Sequence, residues 1–170
     1  KNLRPDDLFS LVTFDSEVEV VLPLAKIEDK NRVCEIIKNL STRGMTYLSG
    51  GWEQAKEQLK KAEPGILKRM LLLTDGMANR GITDHRELIT LLGDGLRNDG
   101  IRTSCLGFGD HYHEDLLSDM ATHSTGNFYD VDSKEKLPTV FAAELEGALR
   151  ISIENLRVRI QLEEQCESWD

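Results

Sequence analysis

The chain has 170 residues, of which 39% are hydrophobic, and this is enough for one domain with a sizeable core. Its 30 acidic and 21 basic residues give a formal net charge of −9, and no basic run occurs. This charge argues against nucleic acid or an anionic membrane surface as partner and is compatible with cation binding. No apolar stretch approaches the roughly 18 residues of a membrane-spanning helix, so we expect no membrane segment in this chain.

The first elements predict a β-hairpin. Leu8–Phe14 is an apolar strand, and residues 18–22 form a second one after the short turn 15–17. Three residues are too few for a crossover, so the two strands must be antiparallel, with the second at the edge of the sheet.

Helix and strand patterns then alternate to the end of the domain. Asp29 and Asp84 lie where they can cap the starts of helices, and Gly100 lies where a helix ends. The predicted elements are a helix after Asp29, a helix 48–62, a strand 66–74, a helix 84–100, a strand 102–108, a short helix 116–121, a strand 126–131 and a helix around 140–149.

This order predicts an α/β fold with a doubly wound, mostly parallel sheet, helices on both of its faces and one antiparallel edge strand. We assign residues 1–150 to this domain. Residues 156–162 alternate apolar and polar side chains, which is typical of a half-exposed strand. Residues 151–170 are therefore expected to start a following β segment and to end in a loose acidic tail.

A carboxylate marks one edge of the predicted sheet. Residues 70–76 read Met-Leu-Leu-Leu-Thr-Asp-Gly, an apolar run without alternation that predicts a strand buried on both faces. Asp75 lies where this strand leaves the sheet, and Gly76 allows the chain to turn. Ligands of open parallel sheets bind at this carboxyl edge.

A second loop carries a hydroxyl group just before a helix. Residues 44–51 read Gly-Met-Thr-Tyr-Leu-Ser-Gly-Gly, so glycines frame Thr46. A threonine hydroxyl and an aspartate carboxylate are hard oxygen ligands, which suit Mg²⁺ or Mn²⁺. Each loop taken alone is more often a simple turn or helix cap.

Together, and in this order, the motifs resemble those of von Willebrand factor type A domains. The carrying segments are Leu-Val-Thr-Phe-Asp at 11–15, Gly-Met-Thr-Tyr-Leu at 44–48, Leu-Leu-Thr-Asp-Gly at 72–76 and Leu-Gly-Phe-Gly at 106–109. The residues after Asp75, including Asn79 and Asp84, are similar to those of bacterial multidomain members of the family.

The resemblance implies a Rossmann-like sheet with a metal-ion-dependent adhesion site at its carboxyl edge. Thr46 and Asp75 would be the metal ligands, with Asp75 acting directly or through water, and Gly44, Tyr47 and Gly76 would form the partner-binding rim. The cofactor would be Mg²⁺ or Mn²⁺. An acidic group of a protein partner would fill the open coordination position, and the domain would not be an enzyme.

One family motif is missing. No Asp-x-Ser-x-Ser occurs in the chain, although the family places it after its first strand. Residues 1–7 resemble the end of the family's first helix, so the resemblance implies an N-terminally truncated domain. We therefore expect weak Mg²⁺ binding, in the millimolar range or absent. We also expect the strands 8–14 and 66–74 either to accept a strand from another chain between them or to close on each other.

Two other functions remain open. Asp75 could serve phosphoryl transfer, but such a site needs a lysine at a neighbouring strand end, and the strand 102–108 ends in Gly-Phe-Gly. A scaffold domain with a decayed site is the other alternative.

Residues 110–115 gather two histidines and three acids, which a zinc site or a polar loop at a helix start would explain. Cys34 and Cys105 are expected to be core thiols.

Overall fold

The computed structural model describes residues 3–41 and 44–149. Strands and helices alternate through this part of the chain, which confirms the predicted α/β class. The expected β segment and tail at 151–170 lie outside the described residues. The elements are β1 (Leu8–Phe14), β2 (Val18–Lys26), α1 (Lys30–Lys38), α2 (Leu48–Leu59), β3 (Lys68–Thr74), α3 (His85–Asp99), β4 (Ile101–Phe108), α4 (Glu114–His123), β5 (Phe128–Val131) and α5 (Leu137–Leu149).

The strands form two sheets. β1 and β2 pair antiparallel, with Phe14 opposite Val18, which confirms the predicted hairpin. β3, β4 and β5 form a parallel sheet with β4 in the middle. We had expected the antiparallel strand at the edge of a single sheet. It belongs instead to a separate two-stranded sheet.

β1 and β3 do not pair with each other among the described residues. We expected either this pairing or the insertion of a strand from another chain, and the described residues do not show the pairing. Helix α2 contacts β1, β2 and β3, so helix packing rather than strand pairing links the two sheets. The filling of this gap by a strand from another chain stays a prediction.

The core lies between the parallel sheet and the helices α2, α3 and α4. Trp52 of α2 is its largest fully buried side chain, and its indole N–H donates to Oγ1 of Thr103 on β4 at 3.1 Å. The other buried apolar residues of this cluster are Leu48, Met70, Leu72, Leu88, Leu92, Ile101, Cys105, Leu116, Leu117, Met120 and Ala121.

Local caps set the helix boundaries. The carboxylate of Asp29 accepts hydrogen bonds from two backbone N–H groups of α1, and that of Asp84 does the same for α3. Gly100 ends α3 in the left-handed region, with φ of 67°. Helix α2 ends earlier than expected, at Leu59.

Cys34 is exposed on α1, so our expectation of a core thiol is wrong there, whereas Cys105 is buried.

Candidate functional site

Three loops meet at the carboxyl edge of the parallel sheet. They are the hairpin turn 15–17, the loop 44–47 before α2, and the loop 75–84 between β3 and α3. The backbone N–H of Tyr47 donates to the carbonyl of Asp15 at 2.9 Å, which joins the first two loops. Thr46 and Asn79 exchange two hydrogen bonds, which join the second loop to the third.

The loops that carry the two candidate metal ligands come together at this edge. A β-carbon added to Gly76 would lie 3.0 Å from Oγ1 of Thr46, so the threonine hydroxyl lies against the backbone directly after Asp75. Thr46 is half-buried, and Asp75 is exposed. The family resemblance implies that both residues lie at one sheet edge, and the structure brings their loops into contact.

The remaining residues of the predicted rim occupy different environments. Gly44 is exposed, with φ of 20° and open space where a side chain would be. The ring of Tyr47 lies over the backbone of Gly50 and Gly81, since a β-carbon at either glycine would fall 2.2 to 2.6 Å from ring carbons. Glycine at these positions therefore makes room for the aromatic ring.

Two residues near the site had no contact at the site predicted for them from the sequence. Asn79 uses Oδ1 to hold the backbone N–H of Thr46 at 2.8 Å. The guanidinium of Arg80 lies over the ring of Tyr47, 5.2 Å from its centroid. Both residues belong to a polar loop whose conformation depends on contacts with residues more than thirty positions away. The only sequence signal was an asparagine, a residue favoured in turns, just after the Asp-Gly pair.

The donor set is suitable in kind but short in number. Thr46 and Asp75 offer one hydroxyl and one carboxylate oxygen, whereas Mg²⁺ requires about six oxygens in an octahedron. Oδ1 of Asn79 is already used by Thr46. Among the described residues, no group of three or more His, Cys, Asp or Glu side chains is placed to share an ion. Water or a partner would have to supply most of the coordination shell.

The end of β4 lies level with the site. Thr74 on β3 pairs with Gly107 on β4, so the residue beside Asp75 on the next strand is Phe108. A phosphoryl-transfer site would place a lysine at such a strand end.

The polar loop 110–115 has a local structural role. Nδ1 of His113 accepts the backbone N–H of Leu116 at 3.1 Å and so caps α4, and two acids lie in the first turn of that helix. This placement matches the polar-loop interpretation. Desolvation and a 2.7 Å hydrogen bond to Asp130 raise the pKa of Tyr112 from 10.0 to about 12, so the phenol remains a donor in mildly alkaline solution as well.

The helices of the described residues are too short or too polar to span a membrane. The sequence and the fold are similar to those of known proteins. The family model described as von Willebrand factor type A domain matches residues 2–143. The chain is 27% identical over 163 residues to the uncharacterized protein YfbK of Escherichia coli (strain K12), a match that covers 95% of this chain and 28% of YfbK. The chain thus spans about a quarter of that relative.

Two solved structures have the same fold. One is a von Willebrand factor type A protein from Catenulispora acidiphila, with a TM-score of 0.74, 20% identity, and coverage of 86% of this chain and 35% of that one. The other is proximal thread matrix protein 1 from the mussel byssus with a zinc-occupied MIDAS motif, with a TM-score of 0.66, 23% identity, and coverage of 85% and 37%.

These similarities agree with the element order, the parallel sheet and the loops that meet at its carboxyl edge. Because the family model matches most of the sequence, this chain belongs to the von Willebrand factor type A domain family.

Proposed function

We propose that this domain binds a protein partner at the carboxyl edge of its parallel sheet, through a divalent cation held by Thr46 and Asp75. Domains of this family are generally protein-interaction modules, and they generally bind a divalent metal at one site. The bound ion would offer an open coordination position to an acidic group of the partner. Gly44, Tyr47 and Gly76 would form the rim around this contact, and the domain would perform no catalysis.

The contact between Thr46 and Gly76 is the observation that carries this proposal. It places a hydroxyl oxygen beside the turn that presents the Asp75 carboxylate. The two hydrogen bonds between Thr46 and Asn79 hold both loops in this arrangement. Oxygen donors of these two types are the ones that Mg²⁺ and Mn²⁺ prefer.

The short donor set limits the strength of binding. With one carboxylate and one hydroxyl, the ion would keep most of its water, and Mg²⁺ gives up its water reluctantly. We therefore expect affinities in about the millimolar range for Mg²⁺ or Mn²⁺. Zinc is a third ion to test, because the mussel relative holds zinc at its own site.

Calorimetric titration with MgCl₂, MnCl₂ and ZnCl₂ tests the proposal. Asp75→Asn removes the charge and keeps the shape, and Thr46→Val removes the hydroxyl. Glu28→Gln and Thr122→Val are matched controls at exposed positions on other parts of the fold. Binding of at least one ion should be lost in Asp75→Asn, weakened in Thr46→Val and unchanged in both controls.

Two results would overturn this proposal. One is ion binding that survives Asp75→Asn, which would place the ion elsewhere. The other is the transfer of a phosphoryl group to Asp75 from a small phosphodonor, detected by intact mass and absent in Asp75→Asn. That outcome would favour phosphoryl-transfer chemistry, for which Asp75 would be the acceptor.

A further inference from the structure

We propose that Arg80 is a carboxylate-binding residue of the partner surface, and that Met45 and Met77 supply the apolar contacts beside it. The surface would therefore select an acidic protein segment that also carries apolar side chains. This inference rests on the proposed function, since it assumes that the same rim meets a protein partner.

Arg80 makes one side-chain contact, and both of its neighbours in the chain are fixed by contacts of their own. Its guanidinium stacks over the ring of Tyr47 at 5.2 Å, a geometry favoured by cation–π attraction. On one side, Asn79 is fixed by its two hydrogen bonds to Thr46. On the other, Gly81 packs so closely that a β-carbon there would meet the Tyr47 ring at 2.2 Å. Little conformational freedom should therefore be lost when this side chain binds.

The charge of Arg80 is available for a partner. The side chain is exposed, and no carboxylate of residues 3–41 or 44–149 forms an ion pair with it. This is notable in a chain with a net charge of −9, because acidic side chains outnumber basic ones. A guanidinium presents two parallel N–H donors that match a carboxylate, so Arg80 can bind one without a metal ion.

Apolar side chains flank the same edge. Met77 and Met45 are 58% and 52% exposed, the highest values for large hydrophobic residues in the described part of the chain. Met45 directly precedes Thr46, and Met77 directly follows Gly76, so both methionines belong to the two loops that contact each other. Methionine adapts its shape to a partner and is common on binding surfaces. Phe108, 37% exposed, adds an aromatic ring level with Asp75.

Charge decides between the possible occupants. A nucleic acid or an anionic membrane would meet a strongly acidic chain, so neither is expected to bind. A short acidic protein segment places few charges against the surface and can offer aliphatic side chains to the methionines. The surface therefore fits a segment with a carboxylate for Arg80, flanked by residues such as leucine.

Fluorescence anisotropy with three synthetic peptides tests this inference. The first has a central Asp-Leu-Asp-Leu sequence in a Gly/Ser frame, the second replaces both Asp residues by Asn, and the third replaces both Leu residues by Ser. Each is titrated in EDTA and, separately, in Mn²⁺. Arg80→Gln is compared with Arg32→Gln, which removes the same charge from an exposed position on α1.

The acidic, leucine-containing peptide should bind in EDTA, and Arg80→Gln should weaken it about fivefold, as for an exposed ion pair. Arg32→Gln should have no such effect. Replacing Met45 and Met77 by Gln should weaken the binding of this peptide and leave the binding of the serine peptide unchanged. Circular dichroism would verify that each variant is folded.

The inference fails if no peptide binds, if the Asn peptide binds as well as the Asp peptide, or if Arg80→Gln has no larger effect than Arg32→Gln. The EDTA arm separates this failure from that of the proposed function. Arg80-dependent binding without any effect of metal would support the inference and contradict the metal bridge. Binding that depends on metal and is unaffected by Arg80→Gln would contradict the inference and support the metal bridge.

Discussion

Thr46 and Asn79 hold each other through two hydrogen bonds: the backbone N–H of Thr46 donates to Oδ1 of Asn79 at 2.8 Å, and the backbone N–H of Asn79 donates to the carbonyl of Thr46 at 3.2 Å. These residues are 33 positions apart in the chain. The pair therefore fixes the distance between the loop that carries the candidate hydroxyl ligand and the loop that carries the candidate carboxylate.

Asn79→Ala should loosen the site more than it weakens the fold. Only the side-chain hydrogen bond is lost, at a cost of about 1 kcal/mol to the free energy of unfolding. The backbone N–H of Thr46 should exchange with solvent faster, as measured by hydrogen exchange and NMR, and binding of ions at the edge should weaken. Asn98→Ala, at an exposed position of α3, serves as the control. Unchanged exchange at Thr46 would contradict this role for Asn79.

Thr103→Val should leave a buried donor without an acceptor. The indole N–H of Trp52 donates to Oγ1 of Thr103, and both side chains are fully buried. The free energy of unfolding should fall by about 1–3 kcal/mol in urea titrations. A double-mutant cycle with Trp52→Phe isolates the hydrogen bond, because Thr103→Val should cost much less once the indole is absent. Equal costs in both backgrounds would argue against the bond.

Gly126→Ala and Gly147→Ala should have opposite effects on stability. A β-carbon at Gly126 would lie 1.9 Å from the carbonyl oxygen of Thr103, which is backbone and cannot move aside easily. We expect a loss of about 3 kcal/mol in the free energy of unfolding. At Gly147, on α5, a β-carbon meets nothing within 4 Å, and alanine should add about 0.5–1 kcal/mol through its helix propensity. Thermal unfolding of both variants measures the difference, and a stable Gly126→Ala protein would contradict the packing.

Cys105 should be unreactive and Cys34 reactive in the folded protein. Burial raises the pKa of Cys105 from 9.0 to about 12, and only the thiolate attacks alkylating reagents. Peptide mapping after iodoacetamide treatment at pH 8 should find Cys34 modified and Cys105 protected until urea is added. Rapid alkylation of Cys105 under native conditions would show that the core opens locally.

The same pKa shift sets a pH dependence. Because the pKa of Cys105 is raised on folding, its contribution to stability is complete below the unfolded value of 9.0 and is lost as the pH rises towards about 12. Cys105→Ala should remove this part of the alkaline loss, which urea titrations between pH 8 and pH 11 would detect.

The gap between β1 and β3 should make the chain prone to accept an added strand. Each of these strands has one edge without a strand partner among the described residues, and such edges pair readily with other chains. We expect association that rises with protein concentration in analytical ultracentrifugation. A chain that stays monomeric at high concentration, with slow hydrogen exchange along both open edges, would contradict this expectation.

Local features of the fold were predictable from the sequence because they depend on neighbouring residues. The caps at Asp29 and Asp84 and the hairpin between β1 and β2 need only short-range chemistry, and all three are confirmed. The rule that ligands of parallel sheets bind at the carboxyl edge covers Asp75, which follows a parallel strand, whereas the approach of Thr46 to the turn after Asp75 was expected from the family resemblance.

Features that depend on distant contacts were not predictable. The separation into two sheets, which α2 links by its contacts with β1, β2 and β3, is a relationship between distant segments that no single segment encodes. The stacking of Arg80 on Tyr47 requires the detailed path of a ten-residue loop. The early end of α2 was also missed, because the sequence predicted a helix over 48–62 and the helix ends at Leu59.

Helix α2 also gives the molecule an optical reporter of its own assembly. Trp52 is one of two tryptophans in the sequence and lies on the helix that contacts both sheets, with its ring against Gly95 of α3 and its N–H on β4. With Trp169 replaced by Phe, its emission would come from this junction alone. A red shift of this emission would then indicate that the two-stranded sheet of β1 and β2 separates from the parallel sheet.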